Sequence, residues 1–104
     1  MAKYLLAYRG GGMPETDAER GAQMAAWGEW FGKLGGALLD PGNPFGPSRS
    51  IAPGGDAQEP APSELTGYSI VAADSLDTAT EYGRGCPVLA TGGKVDVYEG
   101  FEIG

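Results

Sequence analysis

The chain has 104 residues, fourteen acidic and seven basic side chains, no histidine and one cysteine, for a formal charge of −7. Nineteen glycines and eight prolines lean toward disorder, but an apolar share of 41% with ten aromatics gives the chain something to bury. The length suits one domain with one core. The charge speaks against a nucleic-acid surface, which needs Lys and Arg, and no apolar run approaches the ~20 residues of a membrane-spanning helix.

Met1 to Leu6 lack the long apolar region and cleavage site of a secretory signal. A single cysteine forms no internal disulfide, which fits a reducing cytoplasm. The absence of histidine removes the commonest general base and metal ligand. No metal-ligand spacing occurs, and Gly10-Gly11-Gly12 lacks the lysine and helix start of a phosphate loop. The expectation is therefore of a protein with no cofactor and no metal.

Lys3 to Tyr8 reads as a strand, with Tyr4, Leu5, Leu6 and Tyr8 suited to a buried pleated surface. Three glycines end it. Thr16 followed by Glu19 has the spacing of a capping box, so a helix is predicted from there to about Leu34. Met24, Trp27, Phe31 and Leu34 recur at 3, 4 and 3 residues, which makes them its core stripe. Trp30 falls off that stripe and points to a second surface. Gly35-Gly36 stops the helix, and Ala37-Leu38-Leu39 is a second strand.

From about residue 40 to 66 the texture is that of a Pro/Gly-rich loop holding six of the eight prolines. Within it Ser48 to Ala52 could form a short edge strand, and Pro53 to Glu64 reads as an exposed, poorly ordered loop. Thr66 to Ala73 is the third main strand. Ser75 caps a short helix with Leu76, Ala79 and Tyr82 or Gly83 on its apolar side. In the last strand, Lys94 to Ile103, apolar Val95, Val97, Phe101 and Ile103 alternate with Lys94, Asp96, Tyr98, Gly100 and Glu102.

The order β-α-β, connection, β-α-β predicts an α+β, ferredoxin-like split βαβ domain over residues 1–104, with an antiparallel sheet and both helices on one face. The other face would be left open and apolar, which is a signal for association. A homodimer through that face is the partner expected, and a charge placed at Tyr68 or Ser69 should weaken it.

The phrases Lys3-Tyr4-Leu5-Leu6-Ala7-Tyr8, Trp27-Gly28-Glu29-Trp30-Phe31-Gly32, Leu34-Gly35-Gly36-Ala37-Leu38, Asn43-Pro44-Phe45-Gly46, Leu65 to Val71, Gly85-Cys86-Pro87 and Gly93 to Val97 run nearly the whole chain. As a set they resemble the YCII-related family, DGPF-domain relatives included, of the dimeric α/β-barrel superfamily. The resemblance implies a ferredoxin-like protomer whose sheet packs face to face with a second copy. The His-Asp pair proposed as an active site in YCII-like relatives has no counterpart in a chain without histidine, and the Asp-Gly-Pro-Phe phrase is missing before the third strand.

Several residues carry possible chemistry. Asp40, at a strand end, could be a general base if burial raised its pKa, or a turn residue bonding its own backbone. Asn43, Phe45 and Ser48 could line a pocket mouth, or Phe45 could pin the loop to the core. Arg9 could clamp a carboxylate or pair with a neighbouring acid on the surface. Of the helix aromatics, Trp27 and Phe31 read as core and Trp30 as the ligand or interface candidate. Tyr8 and Tyr68, on adjacent strands, could both present hydroxyls on the open face, Tyr68 with Asp40 being the candidates for catalysis. Cys86, with no activating partner, reads as a buried inert thiol.

Three functions fit these residues. One is a protein binding a small organic ligand in a pocket of the dimeric barrel, without nucleic acid or membrane partners. Another is a cofactor-independent enzyme on a small organic acid or lactone, an analogy at the level of the fold. The third is a structural interaction module whose acidic surface serves a basic partner.

Overall fold

Alternating apolar residues lay down β1 (Ala2–Arg9), whose Tyr4, Leu6 and Tyr8 are buried. The computed structural model describes residues 1–101. Helix α1 (Asp17–Leu34) begins where the Thr16 hydroxyl accepts the Glu19 amide at 3.1 Å. The Glu19 carboxylate reaches back one residue further than a capping box requires, to the Glu15 amide at 2.8 Å. Gly35, at φ 53°, ends the helix.

A 3-10 turn (Gly35–Ala37) leads into β2 (Leu38–Asp40). The proline-rich connection then carries a small hairpin of β3 (Ser50–Ile51) and β4 (Ala57–Gln58). The stretch from Pro53 to Glu64 is largely exposed as expected, but the expectation of poor order is corrected by this hairpin. The Ala52 amide bonds the Asp56 carbonyl, the Gly55 amide bonds the Ala52 carbonyl, and Arg49 pairs with Glu59 across the base. Strand β5 (Leu65–Ala73) follows, then α2 (Leu76–Arg84), capped by the Ser75 hydroxyl on the Thr78 amide at 3.1 Å. A 3-10 turn (Pro87–Thr91) precedes β6 (Lys94–Gly100).

The main sheet runs β2-β5-β1-β6 with every neighbouring pair antiparallel. Counting only these four strands, the order is second, third, first, fourth, compatible with the split βαβ expectation. One face carries Tyr4, Leu6, Tyr8, Ser69, Val71 and Ala73, and both helices pack there through Trp30, Leu34 and Ala79. The molecule measures 43 × 42 × 18 Å, the thickness of one sheet and one helix layer. Its radius of gyration, 15.1 Å, exceeds the ~13 Å expected for a rounded chain of this length.

The uncovered face follows from strand register. Leu5 lies opposite Ile70 on one side and Tyr98 on the other, and Ala7 opposite Tyr68 and Asp96. Leu5 is 37%, Leu39 48% and Tyr98 60% exposed.

Four expectations are corrected. Ser69 is fully buried on the helix side. Tyr8 also faces the helices, one residue out of phase with Ala7, so its hydroxyl is not presented on the open face. Leu76, assigned to the apolar side of α2, is half-exposed; Ala79 and Gly83 make the contact instead, with room at Gly83 for Val95 and Val97. Phe101 is exposed beyond the end of β6, while Glu102 and Ile103 lie outside the described residues.

Candidate functional site

The sheet, the C-terminal half of α1 and the segment Pro41–Pro44 enclose a cleft of about 320 Å³. Its construction starts at Asp40. One carboxylate oxygen accepts the Gly42 amide at 2.8 Å, so the chain leaves β2 in a turn of its own making. Gly42 has φ 75°, and a Cβ there would collide with the Tyr68 carbonyl oxygen. Only glycine lets the backbone pass this close over β5. The Pro44–Gly67 bridge and the Phe45 amide on the Thr66 carbonyl, at 3.0 Å, fasten the far end.

A buried polar chain holds the near end. Ser69 Oγ donates to the Pro41 carbonyl at 2.6 Å. A hydroxyl has one proton to give, so Ser69 must accept the proton of the Tyr8 hydroxyl, also at 2.6 Å. Burial raises the Tyr8 phenol well above its ordinary value, and burial likewise pushes the neighbouring Cys86 thiol up to about 11. Both groups are neutral at physiological pH. Cys86 is the buried inert thiol anticipated from the sequence.

The cleft is walled by aromatic rings. Trp27 meets Tyr8 edge to face at a centroid separation of 5.1 Å, and Phe31 lies tilted against Trp27 at 5.7 Å. Val88, Thr66 and the prolines complete the wall, and Asn43 stands at the mouth. No described residue of the lining carries a charge. A larger groove of about 700 Å³ lies between α1 and the segment after α2. Its Lys33 and Arg84 pair along their own helices with Glu29, at 3.9 Å, and Glu81, at 2.8 Å, and it has the character of a solvated surface.

The fold brings three of the sequence candidates to this cleft: Tyr8, Asn43 and Tyr68. The others lie elsewhere. Asp40 serves the turn, its second oxygen 3.5 Å from the Tyr68 hydroxyl. Phe45 stacks on Tyr68 at 5.7 Å, half-exposed, and does not line the cleft. Arg9 pairs with Asp96 at 3.4 Å, the surface alternative of the two weighed above. Ser48 accepts the Ala61 amide at 3.0 Å beside the hairpin.

The tryptophans exchange places. Trp30 is buried, with its indole N–H donating to the Tyr82 carbonyl at 3.0 Å, which ties α1 to α2. Trp27 and Phe31, expected in the core, are only partly buried and form the cleft wall. The Pro41-Gly42-Asn43-Pro44 phrase at a strand end was the one signal in the sequence for the rest of the wall. Val88 gave none.

Among the described residues no group of three or more Cys, Asp or Glu side chains is placed to hold a metal ion, and no helix is long and apolar enough to cross a membrane. No family model and no curated protein matches the chain.

Proposed function

We propose that the chain is a cytoplasmic small-molecule-binding protein of the YCII-related type, working as a homodimer joined through the open sheet face. The observation that carries the binding reading is the aromatic cleft. A concave, uncharged site of about 320 Å³ falls in the ordinary size range of ligand pockets. Its walls stand on a helix and two strands, and the covering segment is locked by Ser69, Asp40 and the Pro44–Gly67 bridge. A site held open in this way pays little ordering entropy when a ligand enters.

Homodimer formation is supported by the row Ile70–Leu5–Tyr98 with Leu39 beside it, and by the 18 Å thickness. An apolar sheet face left in water is ordinarily covered. The family assignment rests on the sequence phrases and on the ferredoxin-like strand order.

Native mass spectrometry of the freshly purified protein, set against its denatured mass, tests the binding reading. The expected result is a species carrying a non-covalent adduct that is lost in Trp27→Leu, a change that keeps the wall apolar but removes the ring. A protein that carries no adduct and shows no stabilised melting with any member of a small-molecule library overturns it.

A further inference from the structure

The cleft also defines the chemistry of its occupant, an inference that rests on the binding reading above. Its hydrogen-bonding groups are almost all engaged. The Tyr8 proton goes to Ser69, whose own proton goes to Pro41. The Thr66 hydroxyl faces two carbonyls, those of Gly10 at 3.1 Å and Tyr8 at 3.3 Å. The Tyr68 hydroxyl turns toward Asp40. Among the described residues Asn43 makes no side-chain hydrogen bond, and it stands exposed at the mouth.

The inner wall is therefore apolar and aromatic, formed by Trp27, Phe31 and Tyr8 set at steep angles to one another, with a donor-acceptor amide at the rim. No cation lines the cleft, Arg9 is engaged by Asp96, and the chain carries −7. A carboxylate or phosphate entering would lose its water and gain no compensating charge.

We infer that the ligand is an uncharged, planar molecule of one or two fused rings, seated in the cleft against the cluster of Trp27, Phe31 and Tyr8, with a single polar edge directed outward to the Asn43 amide. The ring makes face and edge contacts with the aromatic wall and the polar edge stays near solvent. Discrimination between ligands then comes from flatness and charge, with Asn43 setting orientation.

Three probes that share one carbon skeleton test this: 2-naphthol, 2-naphthoate and decahydro-2-naphthol. They are titrated calorimetrically and by amide-resolved NMR. The expected result is that 2-naphthol binds at least about tenfold more tightly than the other two, a margin of about 1.4 kcal/mol. It should shift the Trp27 indole, the Gly42 and Gly67 amides and the Asn43 side-chain amide. Asn43→Leu, at an exposed position whose side chain makes no hydrogen bond among the described residues, should weaken 2-naphthol by about fivefold, the size of one net hydrogen bond. If 2-naphthoate binds as well at the same resonances, the uncharged class is wrong, and if decahydro-2-naphthol does, the planar class is wrong. In either case the cleft remains a binding site. An unchanged affinity in Asn43→Leu removes Asn43 from the proposal. Failure of all three probes to move those resonances overturns both this inference and the binding reading.

Discussion

Ser69 has the smallest side chain of the buried polar chain and links its two ends. It sits at the centre of the sheet, fully buried, and its hydroxyl is both the acceptor for Tyr8 and the donor to Pro41. Satisfied this way, a buried hydroxyl costs little; left with one partner it would cost about 1–3 kcal/mol. The neutral groups around it set a pH dependence. The Cys86 thiol is raised from near 9 to about 11 by burial. The Tyr4 phenol is raised from near 10 to about 12, first by its 2.7 Å hydrogen bond to the Glu99 carboxylate and then by burial. Above pH 9 the unfolded chain releases these protons while the folded chain still holds them. Their stabilising contribution is therefore complete below about pH 9 and is lost as pH climbs through 11 and 12. The urea midpoint should fall steadily between pH 8.5 and 10.5, and less steeply in Tyr4→Phe. A flat midpoint over that range would contradict the assignment.

At the scale of elements, the segment Pro41–Pro44 decides whether there is a cleft at all. Gly42→Ala places a methyl group against the Tyr68 carbonyl at a φ of 75°. The segment must lift away from β5, and the Ser69–Pro41 bond stretches with it. The expected outcome is a stability loss of about 1–3 kcal/mol, from a strained backbone or an orphaned buried hydroxyl, together with loss of 2-naphthol binding. Gly46→Ala, where nothing lies within 4 Å, is the control and should do neither. Equal behaviour of the two variants in thermal melts would mean that Gly42 is not the constraint. This segment also marks where the sequence stopped being legible. The sheet, both helices and their caps followed from period-2 and 3.6 patterns and from Thr16 and Ser75, because those signals are local. Whether Trp27 or Trp30 is buried depends on the angle at which α1 crosses the sheet, which spacing along the helix does not encode. The stripe through Met24 was misleading because the first turns of α1 lie exposed, with Met24 at 69%. Asp40 and Arg9 found their partners in Gly42 and Asp96, and the Arg9–Asp96 pair spans strands distant in sequence.

For the whole molecule, the 18 Å slab leaves the sheet half-covered, and the open face has a definite composition. Its centre is the row Ile70–Leu5–Tyr98, and toward one end Arg9 and Asp96 neutralise each other at 3.4 Å. An apolar centre with a charge-compensated margin is the arrangement of an association surface. In the proposed homodimer the face would pair with itself about a two-fold axis, apolar row against apolar row. Tyr98 is the residue on which to test this, since its side chain is 60% exposed in the single chain and contributes little to the core. In that dimer Tyr98→Asp would place a carboxylate, and its symmetry mate, in the middle of the contact, where each would be stripped of water without a partner. The wild-type chain should sediment as a dimer at micromolar concentration and Tyr98→Asp as a monomer with an unchanged far-ultraviolet circular dichroism spectrum. Tyr98→Phe, which keeps the ring and removes only the hydroxyl, should remain dimeric. A wild-type monomer at that concentration, or a Tyr98→Asp variant as dimeric as the wild type, would mean that the face is covered by something other than a second copy through this row. The cleft opens on the opposite side of the sheet from the row, bounded by Trp27 and Phe31 of α1. Dissociation by Tyr98→Asp should leave 2-naphthol affinity within about twofold of the wild-type value, because Tyr98 does not line the cleft.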